Sequence, residues 1–95
     1  MPVRTLKVPA PVKDLVRSLH PVLKRKIRAA LDDILKDSNC GKLLQDELQG
    51  LWSLLVGRHR VIYLLDASGA EIVAIGPRRA IYEETERKLR SKPNR

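Results

Sequence analysis

The hydrophobic positions change their period three times along the chain. Val3 to Val8 alternate in part and stop at Pro9-Ala10-Pro11, which predicts a short first strand ended by a proline turn. Val12, Leu15, Val16 and Leu19 then recur at helical spacing. Pro11 suits the first turn of that helix, because its missing N–H would have no partner there. His20-Pro21 interrupts the pattern, and Leu23, Ile27, Leu31, Ile34 and Leu35 make one stripe of a second helix. Two helices so closely joined predict an antiparallel hairpin whose apolar stripes face one sheet or each other. Ser38-Asn39-Cys40-Gly41 ends the second helix, with Gly41 free to take the left-handed conformation common at helix ends, and a loop follows to about Gly50.

Leu51 to Val56 is apolar on both parities, and Gly57-Arg58 is a two-residue hairpin connection with glycine where a positive φ is expected. His59 to Asp66 reads as the returning strand, Asp66-Ala67-Ser68-Gly69 as a turn, and Ala70 to Ile75 as a third strand stopped by Gly76-Pro77. Ile81, Tyr82, Thr85 and Leu89 repeat with helical period, with Glu83, Glu84 and Glu86 early and Arg87, Lys88 and Arg90 late, the order that suits a helix dipole. Ser91 to Arg95 reads as a frayed polar tail. The sequence therefore predicts an α+β domain: an N-terminal strand, a two-helix hairpin, a three-stranded antiparallel meander and a C-terminal helix. The helices are expected on one sheet face, leaving the other open as a recognition surface.

Composition narrows the function. Ninety-five residues, 43% of them hydrophobic, support one domain spanning 1–95 with a core of its own. Lys and Arg number 19 against 11 Asp and Glu, a net charge of +8 that favours a polyanionic partner, nucleic acid first and an acidic protein second. Cys40 is the single cysteine, so no internal disulfide or Cys/His metal set is expected, and a nucleophilic role is discounted for want of a nearby histidine. The start of the chain lacks an apolar signal core, and the longest apolar run, Val61 to Leu65, is too short to span a bilayer. A cytoplasmic protein without metal, cofactor or membrane contact is expected. No phosphate-cradling glycine pair, Ser/His/Asp order or metal motif is present, which removes most enzyme classes.

The remaining chemistry is basic and aromatic. Arg58, His59 and Arg60 open one strand, and Arg78 and Arg79 follow the end of the next, so a meander brings the two clusters to one region. Tyr82 lies one helical turn beyond Arg78 on the predicted terminal helix. Arginines on a phosphate, with a phenol or imidazole moving protons, could support metal-free RNA cleavage by the 2′-hydroxyl. Trp52, Leu54 and Val56 share the parity opposite that surface, so Trp52 and Tyr63 read as core anchors, and His59 reads as structural.

Leu51 to Tyr63, with its Leu-Val-Gly-Arg-His-Arg-Val-Ile-Tyr run, followed by Ile75-Gly76-Pro77-Arg78-Arg79-Ala80-Ile81-Tyr82-Glu83, resembles the RelE/ParE superfamily of toxins from type II toxin-antitoxin systems. The resemblance covers nearly the whole chain and implies a RelE-like, microbial-ribonuclease-type fold. It also implies a cognate antitoxin partner, with operator DNA bound only through that antitoxin. RelE-type members cleave mRNA in the ribosomal A site as metal-independent endoribonucleases, and ParE-type members inhibit DNA gyrase without catalysis. By resemblance, Arg60, Arg78 and Tyr82 are the catalytic residues, the arginines holding the phosphate and Tyr82 stacking on a base or moving a proton. Lys24, Arg25, Lys26 and Arg28, with Arg58 and Arg79, are candidates for nucleic-acid or ribosome contact. The strand that holds Trp52 usually carries basic residues on its open face, where this chain has Ser53 and Leu55. The leading expectation is translation block by mRNA cleavage. The two vacancies keep gyrase inhibition, or a toxin that retains only antitoxin binding, as alternatives.

Overall fold

The computed structural model describes residues 5–90, apart from the side chain of Glu47. Among them β1 (Leu6–Lys7) leads into α1 (Ala10–Ser18) and α2 (Pro21–Lys36), then β2 (Lys42–Leu43), β3 (Leu51–Val56), β4 (His59–Asp66), β5 (Gly69–Pro77) and α3 (Ile81–Arg90). The five strands form one mixed sheet in the order β1-β5-β4-β3-β2, with β1 parallel to β5 and every other pair antiparallel. The α+β reading, the helix hairpin and the β3-β4-β5 meander are all present. The part of the first strand before Thr5, and the tail from Ser91, lie outside the described residues.

Local chemistry sets the boundaries. The His20-Pro21 break is a cap: His20 Nδ1 accepts the Val22 N–H at 3.2 Å while Pro21 fills the first turn of α2. Buried Val12 and Val16 of α1, and Ile27, Ala30 and Ile34 of α2, recur one turn apart and seat both helices on one sheet face. There they meet Val61, Tyr63, Ala70, Ile72 and Ile75 in the larger core, with Trp52, Leu54 and Val56 packed at its edge. Tyr63 is fully buried and stacks on Trp52 with ring centroids 6.2 Å apart. Its hydroxyl donates to the Ser38 carbonyl at 2.9 Å and accepts the Gly41 N–H at 3.1 Å. Burial pushes the Tyr63 phenol up to about 12.

Four expectations need correction. The stretch read as a loop to Gly50 contains β2 and a 3-10 turn, Asp46–Leu48. Two-residue strands are too short to show a period, and this one exists because its backbone pairs with β3 and the Leu44 N–H continues the ladder to the Leu51 carbonyl at 2.8 Å. Gly41 does not take a left-handed φ. It is needed because a Cβ there would lie 2.7 Å from the Tyr63 hydroxyl and 2.9 Å from the Ser53 carbonyl.

The third strand passes through Gly76 to Pro77. Since β1 pairs only with Ala70 and Glu71, the far end of β5 has no neighbour on that side to miss the proline's N–H. Last, the second face of the sheet is not wholly open. Leu51, Ile62 and Ala74 give it an apolar row of its own, and α3, the 3-10 turn and the residue that follows β2 cover that row through Ile81, Leu48 and Leu44. What stays uncovered is the end of the face beyond Ser53, which carries Leu55 and Arg60. No helix among the described residues is long and apolar enough to cross a membrane.

Candidate functional site

Register decides which side chains meet on the α3 face. Ser53 pairs with Ile62 of β4 on one side and with Lys42 of β2 on the other, and Leu55 pairs with Arg60. Directly opposed residues share a face, so Lys42, Ser53, Leu55 and Arg60 all project toward the side that α3 partly covers. Arg60 in turn opposes Gly76. A Cβ on Gly76 would lie 2.9 Å from the Ile81 Cδ1, so glycine lets the start of α3 sit close against the sheet. That approach brings Tyr82 to the strands.

There Tyr82 donates its hydroxyl to Ser53 Oγ at 3.2 Å, and Arg60 Nη1 donates to the same oxygen at 3.0 Å. The Arg60 Cζ lies 5.4 Å from the centre of the Tyr82 ring, in cation–π range. Ser53 is only 2% exposed, whereas Arg60 and Tyr82 are half-buried. The structure thus joins Arg60 and Tyr82 through a residue that the sequence reading counted as a vacancy. No sequence pattern marks Ser53, because its role comes from a strand and a helix distant in sequence that reach it with Arg60 and Tyr82.

Arg78 lies elsewhere. It belongs to the turn between β5 and α3 rather than to the helix, so the one-turn spacing expected between Arg78 and Tyr82 does not exist. Its N–H bonds the Arg58 carbonyl at 2.9 Å, and Arg58, Pro77, Arg78 and Arg79 line an open cleft of about 510 Å³. The cleft is two ladder positions past the Arg60–Gly76 pair, about 7 Å along the strands. Among the described residues none of the arginines 58, 60, 78 and 79 is ion-paired, and all three cleft arginines are exposed. Unpaired cations around a concavity suit a phosphate-bearing ligand.

Lys42 is the residue that sequence reasoning missed. It is exposed, and it places a positive charge on the site face from β2 where the resemblance expected one from β3. Lys24, Arg25, Lys26 and Arg28 belong to α2, on the other side of the sheet, so the structure separates them from Arg60. Arg28 instead lines a smaller cleft of about 290 Å³ with Val8, Lys13, Val16, Arg17 and Leu31. His59 shares the parity of Val61, away from the site face. Burial raises the Cys40 thiol above its ordinary value and so keeps it protonated. Among the described residues no group of three or more His, Cys, Asp or Glu could hold a metal ion.

Comparison with known proteins places this geometry. The family model described as the ParE toxin of the type II toxin-antitoxin system, parDE, matches residues 10–82. No curated protein sequence matches the chain. Among solved structures, the toxin-antitoxin complex RelBE2 from Mycobacterium tuberculosis superposes with a TM-score of 0.71 at 22% identity, over 82% of this chain and 100% of that one. A mutant E. coli RelE toxin in the free state gives 0.71 at 13% identity, over 94% and 98% of the two chains. The YoeB-YefM complex from Staphylococcus aureus gives 0.63 at 16% identity, over 75% and 92%. These likenesses carry the fold, a RelE-like α+β sheet and helix hairpin. With the family model spanning most of the chain, the conclusion is that this protein belongs to the ParE toxin family of type II toxin-antitoxin systems.

Proposed function

We propose that this toxin acts by binding DNA gyrase on its DNA, without cutting RNA, and that a cognate antitoxin neutralises it. One observation carries the reading: among the described residues, the two groups expected to move a proton beside the arginine, the Tyr82 phenol and the His59 imidazole, do not stand free on the site face. The Arg60 guanidinium is a hydrogen-bond donor with no acceptor, and the Tyr82 hydroxyl is already donated to Ser53. The ring beneath the guanidinium has one face taken, and His59 lies on the other side of β4. Binding needs none of these groups to titrate. Three exposed arginines around the neighbouring cleft supply the positive field that a DNA-bound enzyme would meet. The net charge of +8 supports an acidic antitoxin segment as the neutralising partner.

The test is a DNA supercoiling and cleavage-complex assay with purified gyrase, run beside primer extension on mRNA held by programmed ribosomes. Trapped broken DNA with intact mRNA is the expected result. Cleavage at the A-site codon with gyrase unaffected would overturn it. That second reading, ribosome-dependent mRNA cleavage, is favoured by Lys42, which gives the Arg60 face a second cation from β2. The antitoxin is tested by co-purification of the neighbouring gene product with the toxin.

A further inference from the structure

We propose that Ser53 and Tyr82 are positioning residues that hold Arg60 in the orientation in which it meets the target, and that neither touches the target itself. The proposal rests on the reading of Arg60 as a target contact, but not on which target that is. Ser53 is 2% exposed, too withdrawn for a macromolecule to reach, and its Oγ accepts from both Arg60 Nη1 and Tyr82 Oη. Those two bonds use the two lone pairs of a hydroxyl oxygen. The Tyr82 ring presents one face to the guanidinium, and the side chain packs at the edge of the core formed by Leu51, Ile62, Ala74 and Ile81. The guanidinium over one ring face and the core at the side chain's edge together fix where the ring stands.

The arrangement is suited to Arg60. A free arginine side chain loses many rotamers when it binds, and a guanidinium already fixed by one hydrogen bond and one ring loses fewer. Only part of its five-donor fork is spent on Ser53, so N–H groups remain for an anionic partner. Serine at this position is therefore not simply a missing charge. A lysine there would set a like charge beside Arg60 and remove the acceptor that fixes it, whereas serine orients the charge supplied by the next strand.

The experiment uses the full chain and two readouts: the NMR order parameter of the Arg60 guanidinium in the free protein, and the inducer dose that arrests growth. Ser53→Ala and Tyr82→Ala are each expected to lower the Arg60 order parameter and raise the arresting dose about tenfold. Tyr82→Phe keeps the ring under the guanidinium and is expected to stay within about threefold of the wild type. Melting temperatures accompany every variant, and Tyr82→Phe keeps the test decisive even where Ser53→Ala fails to fold. A Tyr82→Phe variant as inactive as Tyr82→Ala, with Arg60 still ordered, would assign the hydroxyl a direct role and overturn the proposal. So would an Arg60 whose mobility is unchanged in folded Ser53→Ala and Tyr82→Ala. If Arg60→Ala arrests growth like the wild type, the reading of Arg60 as a target contact is what fails.

Discussion

On the α1–α2 face of the sheet, Ile27, Ile34, Val61, Tyr63 and Ile72 are all fully withdrawn from solvent, and the polar atom among their side chains, the Tyr63 hydroxyl, is satisfied from both sides. On the α3 face, Ile62 and Ile81 are buried as deeply, but the apolar row stops one strand pair short of the end. There Ser53, Arg60 and Tyr82 replace hydrophobic contact by hydrogen bonds and a cation–π contact. The same three central strands serve both faces. What differs is the cover: two helices lie over the first face, while one helix and a 3-10 turn lie over part of the second. On the proposed reading, a small sheet separates stability from function by face, and the boundary runs through single residues, since Arg60 and Val61 are neighbours in sequence.

The largest effect that tests this division is Ile34→Ala. The side chain is fully buried between α2 and the sheet, and its truncation is expected to cost about 2–5 kcal/mol, read from urea unfolding. Growth arrest by the variant should fall only in proportion to the folded fraction. Arg60→Ala is the counterpart: arrest is lost, while unfolding shifts by about 1 kcal/mol or less because the side chain is half-exposed. A large stability loss in Arg60→Ala would erase the distinction between the faces.

Between these lies Tyr63→Phe, which strands the Gly41 N–H and the Ser38 carbonyl and is expected to cost about 1–3 kcal/mol. Tyr63 also gives the first face a pH signature. Its phenol titrates near 10 when unfolded and about 12 when folded, so above pH 10 the unfolded chain gives up the proton more readily than the folded one. Stability is then complete below pH 10 and falls as pH rises toward 12. The slope should disappear from the urea midpoints of Tyr63→Phe.

Most of the architecture was legible because it rests on period. The α1 and α2 stripes, the Gly57 turn with φ 61° and the parity of Trp52, Leu54 and Val56 all follow from spacing that survives folding unchanged. What was illegible is non-local. Lys42 and Leu43 have no period, and they form a strand only because β3 offers an edge. The apolar residues on both parities of Leu51–Val56 did hold the clue that both faces need cover. Arg60 and Tyr82 were legible as a basic and an aromatic residue. Their meeting at Ser53 was not, because it depends on Gly76 admitting α3 and on a serine whose value is to be an acceptor.

The smallest predicted effect tests how far the site extends. Lys42 stands on the edge strand, exposed, with Ser53 as its cross-strand partner, so it shares the face of Arg60 without sharing its anchors. Lys42→Ala removes a charge and little packing, and its unfolding free energy should stay within about 0.5 kcal/mol of the wild type. A solvated lysine contributes to an anionic target mainly through its field, which salt screens over about 10 Å at 0.1 M. The expected result is a severalfold rise in arresting dose, and a target affinity whose salt dependence is shallower than that of the wild type. Lys42→Glu should shift both readouts further in the same direction. An unchanged dose in both variants would end the functional face at Ser53. A loss equal to that of Arg60→Ala would make β2 as much a part of the site as β4, and would favour the reading of ribosome-dependent mRNA cleavage.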